Sequence, residues 1–193
     1  MNRLRDFETH VVTIAPTAAV IDVAAARRQC RVDHHDEDSV LSGFIDAATE
    51  MAERDSHCWL RAVTVRLQLD KFPGDQPIEL PRGPVNAVSS ITYVDTNGDT
   101  TTWGSSNYLA DVSSIPGRIE PAYGIAWPSA RCQPGSVRVT YPAGYTTPPR
   151  VAVQAVLLLV GHWYANRESE GFLPDAVSMA YWALLRNFSR RPV

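Results

Sequence analysis

The side chains best suited to chemistry gather early in the chain, where Cys30, His34, His35 and Asp36 are followed by His57 and Cys58. Thiolate, imidazole and carboxylate ligands hold zinc when they come as closely spaced pairs. No Cys-x-x-Cys or His-x-x-x-His pair is present. The cluster is therefore read as structure: Asp36, Glu37 and Asp38 favour a helix N-terminus, and Cys30 and Cys58 act as small apolar fillers. No metal, cofactor or catalytic residue is expected. Asp95, Asn97 and Asp99 imitate the start of a calcium loop, but the distal glutamate is missing and the run lies between two alternating segments. That context predicts a β-hairpin with Asn97-Gly98 supplying the positive φ values of a tight turn. No Gly-x-Ser-x-Gly elbow, Walker A loop or dinucleotide fingerprint occurs. Asn187-Phe188-Ser189 fits a glycosylation acceptor, which has meaning only behind a secretion signal. The opening MNRLRDFETHVV has no long apolar core of that kind.

Two weaker constellations remain. His57, His162, Asp111 and Glu120 would serve a hydrolase only if folding gathers them into one cleft. Trp103, Tyr123 and Trp127 would serve a carbohydrate-binding module only if they line up as a platform; otherwise they are core or interface aromatics. The totals narrow the choice. With 193 residues, 45% of them hydrophobic, the chain can bury a real core. A net charge of -3 and a pI near 5.9 give no basic signature for wrapping nucleic acid. Three widely spaced cysteines argue against a disulfide framework and for folding in a reducing compartment.

The elements that must position these residues follow from periodicity. Residues 1–20 form an arm with a short alternating strand around Thr9 to Ile14, ended by Pro16. Asp22 is placed to cap a helix over Val23 to Arg31. A second helix opens near Asp36 to Asp38, with Val40, Leu41, Phe44, Ile45, Ala48, Met51 and Ala52 on its apolar face and Asp46, Glu50 and Glu53 off it. From Ala62 the period switches to two, with strands at Val63 to Leu69, Ile78 to Leu80, Val88 to Val94, Asp99 to Trp103, Tyr108 to Val112, Arg118 to Glu120 and Val137 to Tyr141. Pro149 suits the first turn of a helix reaching Glu168, whose stretch from Val151 to Val160 has one polar residue, Gln154. It is too short in apolar length to span a membrane, so it must be covered on several sides by protein. Asp175 caps a last helix from Ala176 to about Phe188. The fold class is α+β: a helical bundle of residues 21–61 and 148–193, with an inserted antiparallel β barrel or sandwich over 62–147.

Several segments in this order resemble the head-tail connector, or adaptor, proteins of tailed phages and gene transfer agents. They are Arg31-Val32-Asp33, Ile78 to Val85, Ile91 to Asp95, Pro116 to Ile119 with Pro121 to Gly124 and Trp127-Pro128, Val139 to Tyr145, and Val156 to Glu168. The resemblance covers about residues 20 to 190 and is poorest over the N-terminal arm. It implies a non-catalytic virion protein at the head-tail junction, assembled in the bacterial host cytoplasm. It further implies a ring, typically of twelve copies, between the portal protein and a stopper or tail-completion protein, with double-stranded DNA passing through its lumen. Another neck component is the alternative. Within that reading, surplus apolar surface around His162, Trp163, Tyr164 and Arg167 is the expected subunit interface. The basic tail, with Arg186, Phe188, Arg190 and Arg191, is the expected portal-docking segment.

Overall fold

The computed structural model describes residues 9–16, 18–114, 116–167 and 174–186. They fall into two compact units, and the chain crosses between them three times: residues 9–15 and 62–144 make a β unit, residues 16–61 and 145–186 a helical one. Both units are thus built from segments distant in sequence.

In the helical unit, α1 (Val23–Cys30), α2 (Asp38–Ser56) and α4 (Asp175–Leu185) all pack on α3 (Arg150–Ala165). This is the covering on several sides that the apolar run of α3 demands. Ala152, Ala155, Val156, Leu159 and Val160 are buried from α3, against Leu41, Ile45, Ala48 and Ala52 of α2 and Tyr181 and Leu185 of α4. A fully buried Leu or Val contributes roughly 1.5–3 kcal/mol relative to the exposed side chain, so α3 anchors the unit. Asp22 caps α1 as expected, its Oδ1 accepting the Ala25 N–H at 2.5 Å. Arg31 then ends the helix in the left-handed region at φ 58°, and Val32 N–H closes on the Arg27 carbonyl at 3.0 Å. The other two caps differ from expectation. Pro149 stands one place before the first turn of α3, its carbonyl accepting the Val153 N–H at 3.1 Å. Asp175 is the first residue of α4 rather than its cap, which is Pro174, so its carboxylate acts through the helix dipole instead.

The apolar stripe of α2 is also corrected. Val40 is 39% exposed, whereas Glu53, expected on the polar side, is buried. Its carboxylate accepts the N–H of buried Leu60 at 3.0 Å and faces the Arg61 guanidinium at 3.5 Å. The chain turning back after α2 brings these partners, and periodicity within the helix carries no sign of them.

The β unit has two antiparallel sheets. The first has the order β1-β2-β8-β4-β5, with β1 (Thr9–Ile14), β2 (Val63–Leu69), β8 (Val137–Ala143), β4 (Ser90–Val94) and β5 (Thr100–Trp103). The arm's alternating strand thus becomes an edge, Val12 opposite Val65. The second sheet has the order β3-β7-β6, with β3 (Ile78–Leu80), β7 (Gly117–Pro121) and β6 (Tyr108–Asp111). Alternation set the register well: Val63, Val65, Leu67 and Leu69 are buried along β2, and Val137, Val139, Tyr141 and Ala143 along β8. Neither sheet closes into a barrel. Among the described residues β1 and β5 remain opposite edges, and β3, only three residues long, pairs with β7 rather than bridging the two sheets. The Asp95–Asp99 turn is a hairpin of a different type from that expected. Only Gly98 has positive φ, at 100°. Asp95 Oδ1 instead accepts the N–H groups of Asn97, Gly98 and Asp99 at 2.9–3.0 Å, and Asp95 N–H donates to the Asp99 carbonyl at 2.9 Å. The carboxylate organises the turn, so the dipeptide need not.

Replacing Glu53 by alanine leaves the buried Leu60 N–H without an acceptor. Glu53→Ala is expected to cost about 1–3 kcal/mol in urea unfolding; stability equal to wild type would show that the carboxylate merely occupies space.

Candidate functional site

The expected interface residues at the end of α3 divide into two kinds. Tyr164 and Arg167, one turn apart, converge on Glu37, the residue before α2. Arg167 Nη2 donates to Glu37 Oε1 at 2.8 Å and Oε2 at 2.7 Å, the Tyr164 hydroxyl donates to Oε2, and the guanidinium carbon lies 4.5 Å from the Tyr164 ring centroid. One carboxylate, a phenol and a stacked guanidinium thus fasten the C-terminal end of α3 to the start of α2. The hydrogen bond from Tyr164, and then that from Arg167, hold the Glu37 carboxyl below its ordinary range. The same contact with Glu37 raises both Tyr164 and Arg167. Glu37 had a sufficient local reading as a helix N-terminal acid, so only the spacing of Tyr164 and Arg167 at and just past the end of α3 could have signalled a shared partner.

His162 and Trp163 are half-buried. Trp163 packs on Phe44, ring centroids 6.2 Å apart, and His162 Nδ1 meets Asn166 Nδ2 at 3.2 Å. Of the four expected interface residues, then, Tyr164 and Arg167 are held by their own chain, and Trp163 keeps only part of its surface. Of the expected docking residues, Arg186 is exposed at the end of α4, and Phe188, Arg190 and Arg191 lie outside the described residues.

The early cluster resolves into helix-end electrostatics. Arg27 Nε faces Asp38 Oδ1 at 3.1 Å, and His35 bridges the pair, its Nε2 3.2 Å from Arg27 and its Nδ1 3.1 Å from Asp38. Cys58 is buried in the helical core, while burial pushes the Cys30 thiol up against a smaller opposing effect of Arg167. Among the described residues no group of three or more His, Cys, Asp and Glu side chains is arranged to hold a metal ion. Asp111 is held well below the carboxylate range by hydrogen bonds, the Ser113 hydroxyl at 2.7 Å first. It shapes a turn at the end of β6. His57 and His162 belong to the helical unit, Asp111 and Glu120 to the β unit.

The β-unit aromatics form a nested cluster rather than a flat platform. Phe72 stacks on Trp127 at 5.0 Å, and Trp103, itself buried, lies 5.0 Å from Trp127 and 5.5 Å from Tyr108. Tyr123 stands apart, fully exposed. No described helix is long and apolar enough to cross a membrane.

The chain thus joins a two-sheet β unit to a set of helices gathered on one apolar helix. The fold matches a chain in the virion of a native gene transfer agent particle with TM-score 0.79 and 22% identity, covering 96% of this chain and 97% of that one. It also matches a chain in the neck of an empty gene transfer agent particle computed with C6 symmetry, with TM-score 0.76, 22% identity and 97% coverage of both. A third match lies in the neck of a native particle computed with C12 symmetry, with TM-score 0.68, 24% identity and coverage of 94% and 97%. Residues 20–116 match the family described as phage gp6-like head-tail connector protein, and the chain belongs to that family. No curated protein sequence matches it.

The Glu37 contact has a pH signature. A carboxyl whose folded pKa is depressed contributes stability that is complete above its unfolded value, about 4.3 for glutamate, and is lost as pH falls through the lower folded value. Glu37→Gln should therefore lower stability at neutral pH and lessen the loss between neutral and acid pH. Parallel wild-type and variant melting-temperature profiles would sink this assignment.

Proposed function

We propose that this protein is a structural adaptor of the virion neck: a ring of subunits that joins the portal to the next neck or tail component while DNA passes through the lumen. The observation that carries the reading is the near-complete coverage of both chains in the fold matches to gene transfer agent particles, together with family membership. Twelve copies is the preferred number, because one matched neck was computed with C12 symmetry. The role is mechanical rather than catalytic. Glu37, Glu53, Asp111 and the bonded Tyr164 and Arg167 act inside their own units, and the weakly negative total charge suits a channel wall that lets phosphates slide past.

Subunits meet in part through His162 and Trp163, beside the Glu37-bound Tyr164 and Arg167. The tail with Phe188, Arg190 and Arg191 docks on the portal, and a stopper or tail-completion protein takes the opposite side. The ring belongs to the virion and assembles in the host cytoplasm, where the thiols of Cys30, Cys58 and Cys132 stay reduced.

Native mass measurement of the chain mixed with its portal tests the reading. The expected product is a complex with one closed ring of the chain per portal. A chain that stays monomeric and ignores the portal at high concentration would overturn it. Truncation after Asn187 should leave the fold intact and abolish portal capture; normal capture would reassign the docking segment.

A further inference from the structure

Two helices of the helical unit turn exposed faces of unusual composition away from the core. On α2 the face runs Val40, Gly43, Ala47, Glu50, and on α4 it runs Ala176, Met179, Ala183, Arg186. All eight residues are exposed, Val40 at 39% and Met179 at 73%. Both faces have the same spacing of three, four and three residues, which is the seam of a two-helix coiled coil.

Gly43 is the more telling residue. It sits inside a 19-residue helix with ordinary helical φ, where glycine is unfavourable, and a Cβ built there meets nothing within 4 Å. Its own chain gives no reason for a missing side chain, whereas a second helix approaching closely does. Gly161 of α3 makes the contrast, because its built Cβ lies 3.5 Å from Gln29 of α1.

Laid side by side in parallel, the two faces complement each other layer by layer. Val40 meets Ala176, Gly43 receives Met179, Ala47 meets Ala183, and Glu50 meets Arg186. Two layers set a larger side chain opposite a smaller one, one sets alanine on alanine, and the last sets acid opposite base. Arg186 keeps helical dihedrals of -54° and -28°, so it extends the α4 face. Neither Glu50 nor Arg186 has an ion-pair partner within the described chain. Within one molecule these faces look away from the helical core, on the sides opposite Leu41 and Ile45 of α2 and Tyr181 and Leu185 of α4.

We propose that α2 of one subunit and α4 of the next form this parallel seam, so the occupant of each face is a second copy of this chain. The inference rests on the ring reading and deepens it by naming the contact. Two different patches meeting head to tail are what a ring requires, and the matched necks computed with C6 and C12 symmetry present repeated copies of the same fold. Arg186 then serves the seam, leaving Phe188, Arg190 and Arg191 for the portal.

The test uses the full chain with its portal, and the number of copies bound is read by native mass spectrometry, with a thermal melt as the folding control. Gly43→Leu should fold with an unchanged or higher melting temperature and lose ring formation, because the new side chain fills the place of Met179. Glu50→Arg alone and Arg186→Glu alone should each raise the concentration needed for assembly by about tenfold or more, and the double swap should restore it. Folded variants that assemble like the wild type would overturn the seam and leave the ring reading standing. A wild-type chain that forms no ring even with the portal overturns both. If Gly43→Leu is misfolded, the charge-swap pair alone decides, since both positions are exposed and outside the core.

Discussion

The helical unit depends on hiding α3. Its stretch from Val151 to Val160 has a single polar residue, so no one neighbour can shield it. The chain meets this demand from both directions, with α1 and α2 supplied before residues 62–144 of the β unit and α4 after α3. The stripe of Leu41, Ile45, Ala48 and Ala52 on α2 is exposed until α3 arrives more than 90 residues later, so the unit gains its core from contacts distant in sequence.

Polar groups then fix how the helices end. Glu37 takes Tyr164 and Arg167 where α2 begins, and Glu53 takes Leu60 and Arg61 after α2 has ended. At the same end, Tyr181 of α4 donates to Asp55 at 3.0 Å, and burial, followed by Asp55, pushes its hydroxyl well above the ordinary tyrosine range. Apolar packing tolerates small slides of one helix along another, whereas hydrogen bonds at 2.7–3.0 Å do not. The carboxylates thus set the register of surfaces that the apolar core merely brings together. In the proposed ring this matters, because an error in the angle of one face would recur at every junction.

Periodicity made most of the elements legible. The period of two along Val63 to Leu69 and Val137 to Tyr141, and the apolar run of α3, translate directly into burial. What the sequence leaves unread is whatever depends on a partner far along the chain. Glu53 looks like a surface acid until the turn at His57 brings Leu60 back to it. Barrel closure depends on whether edge strands find each other, which alternation within a strand does not encode. The Asn97-Gly98 pair points to a two-residue turn, yet Asp95 three places before Gly98 competes for the same N–H groups and wins. The bonds of Tyr164 and Arg167 to Glu37 went unread for the same reason, because their partner lies far earlier in the chain.

The proposed seam is modest: three layers of small or apolar side chains on α2 and α4, with one charge pair. A strong apolar contact would be a liability, since a head-to-tail interface that forms without a template can grow into open filaments instead of closing. A weak one is sufficient on a symmetric platform. In the proposed ring, a subunit held on the portal sees its neighbour at a high effective concentration, and a seam too weak to join free subunits becomes strong enough to join docked ones. Gly43 fits this division of labour. In the proposed seam it gives up helix stability in the lone subunit for a close approach that exists only when the next subunit is in place.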